Sequence, residues 1–198
     1  GLSMNVEDRT GIVGPIAPGA FALHTDAGVL FMDGSPDAGI GLEALAEDGA
    51  ASGLATALAA GGSASFAGAF DTPSSGSSAG PAFPGESYTF QVTAAPGDRL
   101  SFATMYVQSN DLFLGPLDAG LDLFPAGTAL NGDVTDQIYL WDAGTEVNER
   151  PGIGLNQAPR QAGPDTGADE GGNVRQVDDM YTYPAVSDIV RVTVRPVG

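Results

Sequence analysis

Two acidic turns hold the residues best suited to chemistry in this chain. In Thr104-Met-Tyr-Val-Gln-Ser-Asn-Asp-Leu-Phe an apolar, β-type run gives way to Asp111. In Asp136-Gln-Ile-Tyr-Leu-Trp-Asp-Ala-Gly-Thr-Glu a second run gives way to Asp142 and Glu146. Strands that deliver carboxylates to loops at one end of a sheet suit a hard cation, because calcium takes several oxygen ligands in flexible geometry. Gly144 permits a tight turn between Asp142 and Glu146, and the Thr145 hydroxyl and the turn carbonyls add neutral oxygens. Asp111, Asp142 and Glu146 are therefore the candidate metal ligands. Taken singly, each Asp would do no more than stabilise its own turn, where Asp commonly sits. Asp165, Asp169, Glu170, Asp178 and Asp179 form a second acidic group, but their spacing does not match a helix-loop-helix calcium loop. A solvated charge run is the plainer account of them.

Other chemistries find little support. Cysteine is absent and His24 is the sole histidine, which excludes thiol catalysis, cysteine metal sites and a histidine-rich centre. A Ser-His-Asp hydrolase would depend on His24 alone, and no Gly-x-Ser-x-Gly elbow accompanies it. A structural His at a strand end is expected instead. Carboxylate pairs for a glycosidase are abundant, yet Trp141 is the only Trp, and sugar clefts often use several aromatic platforms. Gly61-Gly-Ser and Gly171-Gly-Asn are not phosphate loops, since no Lys follows them. A non-catalytic protein is expected.

The elements that must position the acidic turns are mostly strands. Tyr88-Thr-Phe-Gln-Val-Thr alternates, Pro96-Gly-Asp signals a turn, and Leu100-Ser-Phe-Ala-Thr-Met-Tyr-Val alternates again. Gln137 to Trp141, Asp188 to Val194 and a weak run at Ser65 to Phe70 add further strands. Phe21-Ala-Leu-His and Gly28-Val-Leu-Phe-Met read as two short strands about the turn Thr25-Asp-Ala. Leu42, Leu45, Ala46, Leu54, Leu58 and Ala59 predict one or two short helices broken near Gly49 and Gly53. Short strands with turn-rich connections indicate an antiparallel sandwich or barrel. Residues 142–179 lack periodicity and form one long irregular loop, of the kind that is functional or disordered. Its Arg150, Arg160 and Arg175 sit among carboxylates they could pair with, which favours order. Residues 1–14 read as an irregular N-terminal arm and residues 15–198 as one domain. Tyr106, Phe113, Phe124, Tyr139 and Trp141 are expected in the core.

Composition bounds the partners. Twenty-five Asp and Glu stand against seven basic residues, all Arg, for a net charge of -18. Such a surface repels nucleic acid and anionic lipid unless divalent cations bridge the contact. An acidic, Lys-free chain also fits a saline, halophilic setting, where screening relieves self-repulsion. The apolar fraction of 42% is ordinary for a globular domain. No apolar run approaches a membrane span, and Gly1-Leu-Ser-Met-Asn is not an export signal, so an exported form would have carried its signal peptide outside this sequence.

At Ser109-Asn-Asp-Leu-Phe and Leu140-Trp-Asp-Ala-Gly-Thr-Glu the chain resembles the spondin domain, the N-terminal module of F-spondin and mindin, in its microbial single-domain branch. The likeness extends to His24, to Gly41-Leu-Glu-Ala-Leu-Ala-Glu-Asp-Gly, to Pro96-Gly-Asp-Arg-Leu-Ser-Phe-Ala-Thr-Met, to Gly132-Asp-Val-Thr and to Gln157-Ala-Pro-Arg-Gln. The resemblance implies an eight-stranded antiparallel β-sandwich holding Ca2+ in loops at one end. The family's acidic metal positions map onto Asp111, Asp142 and Glu146, where Glu146 replaces the Asp of animal members. It further implies a secreted module for adhesion or extracellular-matrix contact. Its partner would be another extracellular protein or a further copy of the chain, with a subunit of an extracellular homopolymer or filament as the alternative.

Overall fold

The computed structural model describes residues 1–8 and 15–197. Two antiparallel sheets face each other, so the chain is an all-β sandwich. The smaller sheet is built from β1 (Leu2–Asp8), β4 (Ser87–Val92), β8 (Gly132–Asp133) and β11 (Val190–Pro196), in the order β4-β1-β11-β8. The larger sheet runs β10-β9-β6-β5-β2-β3, from β2 (Ile16–His24), β3 (Phe66–Phe70), β5 (Arg99–Tyr106), β6 (Leu112–Gly115), β9 (Tyr139–Asp142) and β10 (Arg175–Gln176), with β7 (Leu121–Asp122) paired to β5. Strands β7, β8 and β10 are two residues each, so eight longer strands make the frame among the described residues.

Strand alternation explains why the sheets stack. Leu2, Met4 and Val6 of β1 and Val190, Val192 and Val194 of β11 are buried, while Arg191 faces solvent. These apolar rows meet Phe21, Leu23, Leu100, Phe102, Leu112, Leu114 and Leu140 of the larger sheet in one core. The larger sheet is buried on its other face too. There Ala20, Ala22 and Ala103 make a small-residue floor on which α1 (Leu42–Asp48) and α2 (Ala51–Ala60) lie through Leu42, Leu45, Leu54 and Leu58. Phe113 and Trp141, both fully buried, fill the same layer. β2 and β5 are therefore buried along almost their whole length, and the polar Ser101 and Thr104 of β5 find partners in His24 and the Ala17 carbonyl.

Several expectations need correction. Residues 2–8 of the expected irregular arm are a strand inserted between β4 and β11, with Val6 opposite both Tyr88 and Val192; residues 9–14 lie outside the described residues. The apolar alternation of Leu2, Met4 and Val6 gives the strand a buried face, which outweighs the Gly and Pro content that follows. Residues 28–32 are not a strand: Leu30 and Phe31 turn into the helix-side core instead of joining the sheet. The helix break is at Gly49, whose left-handed φ of 70° ends α1 with the Ala50 N–H donating to the Ala44 carbonyl. Gly53 sits inside α2 and breaks nothing. The 142–179 loop is threaded with turns and contributes β10, and a single helical turn, α3 (Val186–Ile189), leads into β11.

Candidate metal centre

Asp142 is the last residue of β9, placed opposite Leu112 of β6 and Arg175 of β10; Asp111 immediately precedes β6. Pairing of two neighbouring strands thus brings the two acidic turns together. Both side chains are fully buried. Asp111 Oδ2 accepts three hydrogen bonds, from the Thr145 N–H at 2.8 Å, the Thr145 hydroxyl at 3.2 Å and the Glu146 N–H at 3.1 Å. Its Oδ1, equally buried, has no hydrogen-bond partner among the described residues. Asp142 Oδ1 accepts the Gly144 N–H at 2.7 Å, and Oδ2 accepts Asn148 Nδ2 at 2.9 Å and Arg175 Nη2 at 2.8 Å.

Gly144 makes this turn possible in two ways. Its φ is +72°, and a Cβ there would fall 2.8 Å from the backbone nitrogen of Asn173. The Gly172 N–H closes the contact by donating to the Gly144 carbonyl at 2.7 Å. The Glu170 N–H likewise donates to the Thr145 carbonyl at 2.8 Å. The loop therefore folds back across the turn and carries the Glu170 carboxylate with it. One oxygen each from Asp111, Asp142 and Glu170 lie within 4.8 Å of one another.

Of the three residues expected from sequence, the structure brings Asp111 and Asp142 together and puts Glu170, not Glu146, in their group. Glu146 contributes its backbone N–H to Asp111, but its buried carboxylate accepts from Asn110 Nδ2 at 3.3 Å and sits against Gly167, where a Cβ would come within 2.4 Å of it. Glu146 is bridged to Asp169 of the loop, and its carboxylate packs among the loop residues there. The second expected acidic group is dispersed. Glu170 joins the centre, Asp165 approaches α1, and Asp179 caps its own turn through the Tyr181 N–H and the Tyr183 hydroxyl.

A second carboxylate group adjoins the first. Glu43 and Glu47 of α1 and Asp165 of the loop also present oxygens within 4.8 Å of one another. Sequence reasoning passed over these two helical residues. The signal was there: carboxylates four residues apart share a helix face and repel, and no cation follows them in α1. Burial, with the Glu146, Glu43 and Asp111 charges adding to it and a Thr145 hydrogen bond opposing it, pushes the Glu47 carboxyl up to about 8. Burial and then the Asp142 charge push Asp111 up to about 7 against its hydrogen bonds from Glu146 and Thr145. Burial also raises Asp142, opposed by the Gly144 N–H and Arg175, and raises Glu146, opposed by Asn110. These are carboxylates held where a negative charge is unwelcome without a cation.

Arg175 supplies part of that cation. Its Nη2 lies 2.8 Å from both Asp142 Oδ2 and Glu170 Oε1. Arg160, expected to pair with acids, instead bonds the Gly154 carbonyl and the side-chain oxygens of Gln108 and Gln157. Buried Gln157 donates to the Arg150 carbonyl at 2.9 Å and accepts the Gly152 N–H at 3.0 Å, which fixes the loop from inside.

The donor set suits a hard cation. Every side-chain donor in the group is a carboxylate oxygen, and Asp111 Oδ1 is a buried acceptor with lone pairs to fill. His24 is remote. It pairs with Arg99 at the start of β5, whereas Asp111 follows the end of that strand, so roughly 20 Å of strand separates them at about 3.3 Å per residue. His24 is buried, with Nε2 2.8 Å from Ser101 Oγ and Gly120 packed over the ring. No carboxylate hydrogen-bonds its other nitrogen among the described residues, so the pair lacks the third member of a triad.

No helix among the described residues is long and apolar enough to cross a membrane. Neither a protein-family model nor a curated protein matches the chain.

Proposed function

We propose that this chain is a secreted, non-catalytic β-sandwich module that binds calcium and uses the metal-ordered end of the sandwich for adhesion or extracellular-matrix contact. The observation that supports it most is Asp111: a fully buried carboxylate with one oxygen lacking a partner, set within 4.8 Å of two further carboxylates. Asp111, Asp142 and Glu170 would hold the ion. Calcium there would neutralise mutually repelling groups and fix the loop that Glu170 anchors. The likeness of the two acidic turns to those of spondin domains points the same way and is the ground for the extracellular role.

Isothermal titration with calcium chloride tests this. The wild type is expected to take up one ion per chain, and Asp111→Asn to lose that binding. Absence of heat in the wild type, or unchanged binding in the variant, would reject the site.

The alternative, a subunit of an extracellular homopolymer, has one supporting observation. β3 is an edge strand of the larger sheet and exposes Phe66 at 52%. β1 is paired on both sides within its own sheet, between β4 and β11, and offers no free edge to a neighbour. Sedimentation of the calcium-loaded protein decides: a monomer at all concentrations retires the alternative.

A further inference from the structure

We propose that Arg175 is a tethered counter-cation that competes with a divalent ion for Asp142 and Glu170, so that ion uptake proceeds by exchange of guanidinium for metal. The inference rests on the calcium reading above and concerns how that site is regulated.

The geometry carries it. One guanidinium nitrogen is 2.8 Å from an oxygen of each of two carboxylates in a three-carboxylate group. That is where a bridging cation would sit. The third carboxylate, Asp111, feels this charge without a direct ion pair to it, and its Oδ1 is left without a hydrogen-bond partner among the described residues. Arginine thus satisfies two members of a site built for more charge than it supplies.

Its backbone is pinned by the strand, whereas its side chain is held only by Asp142, Glu170 and the Asn173 carbonyl. Arg175 is paired to Asp142 across β10 and β9, and the preceding Val174 donates to the Ser35 carbonyl and accepts from Gly34 at 2.8 Å each. The side chain remains 35% exposed beside an open depression lined by Val147, Asn148, Glu170 and Tyr181. It can withdraw into that space without moving the strand.

Two consequences follow from competition. While arginine occupies the site only the remaining fraction of molecules is competent for metal, and apparent affinity falls by that fraction. In the metal-free protein, arginine also keeps Asp142 from being a buried charge without a partner, a situation that is strongly destabilising. The same residue would then weaken ion binding and protect the ion-free fold.

The test compares wild type, Arg175→Gln and Arg150→Gln by calcium titration and by thermal unfolding in EDTA. Arg150 is an exposed cation of the same loop, so its variant removes equal net charge without touching the site. Arg175→Gln is expected to bind calcium at least about tenfold more tightly than wild type. It should also melt lower in EDTA and gain more on calcium addition, with Arg150→Gln within about twofold of wild type. Equal or weaker binding by Arg175→Gln would overturn the exchange, as would an equal gain in the two variants, which would reduce the effect to general charge. Should Arg175→Gln not fold, Arg175→Met keeps the apolar stem and removes the guanidinium. Its calcium affinity must then exceed that of the wild type, and equality would overturn the exchange. If none of the proteins takes up calcium, the metal site itself is refuted and the exchange with it.

Discussion

Asp111 of the centre and Glu47 of the adjoining carboxylate group give this region its pH behaviour. In the folded chain their carboxyls are held at about 7 and about 8, whereas an unfolded chain would release those protons near 4. The native state therefore binds more protons across this interval, and stability without metal falls as pH rises through it. Metal binding has the opposite dependence, because ligands must lose their protons to coordinate. Melting in EDTA is thus expected to be highest near pH 5 and to decline toward pH 8, while the calcium-induced rise grows over the same range. Thermal scans at three pH values with and without calcium check both trends. A calcium effect largest at pH 5 would contradict the assignment of these buried groups.

The turn between β9 and the long loop is the element on which the centre hangs. Gly144→Ala imposes an L-residue on a left-handed φ and drives a methyl into the Asn173 backbone, so a loss of about 2 kcal/mol in urea unfolding is expected. Gly53→Ala offers the contrast, since its Cβ would meet nothing within 4 Å in a helix interior; a gain of about 0.5–1 kcal/mol is expected there. Equal effects at the two positions would mean that the turn tolerates remodelling. The same elements show how far the sequence could be read. Asp111 and Asp142 were legible because each ends or begins a strand of strong periodicity, and adjacent antiparallel strands align such ends. Glu170 was not: it reaches the site because its own N–H and that of Gly172 bond the Thr145 and Gly144 carbonyls just before the two-residue β10, contacts that leave no periodic trace. Glu146 misled because it is near Asp142 along the chain, while the turn points its carboxylate elsewhere. Val29, Leu30 and Phe31 resembled a strand since an apolar run reads alike whether it joins a sheet or caps a helical layer. Residues 2–8 carried a clear alternation that the Gly and Pro following them obscured.

At the scale of the molecule, three layers stack with the larger sheet in the middle, and the acidic centre lies at one end of that sheet. A net charge of -18 repels itself everywhere, yet in the described residues it is gathered most densely where Asp111, Asp142, Glu170, Glu43, Glu47 and Asp165 meet. Salt can screen the exposed charges, but it reaches buried carboxylates far less. Protonation and the Arg175 guanidinium relieve part of that charge, and a specific ion would relieve the rest. Thermal unfolding of wild type and Asp142→Asn, each in high salt with EDTA and then with saturating calcium, tests this most directly. An ion at one hundred times its dissociation constant adds about 2.7 kcal/mol, which for a chain of this size is a rise of roughly 5–10 °C. The wild type is predicted to show that rise and Asp142→Asn to lose it; no rise in the wild type, or the same rise in both, would contradict a metal centre at Asp111, Asp142 and Glu170.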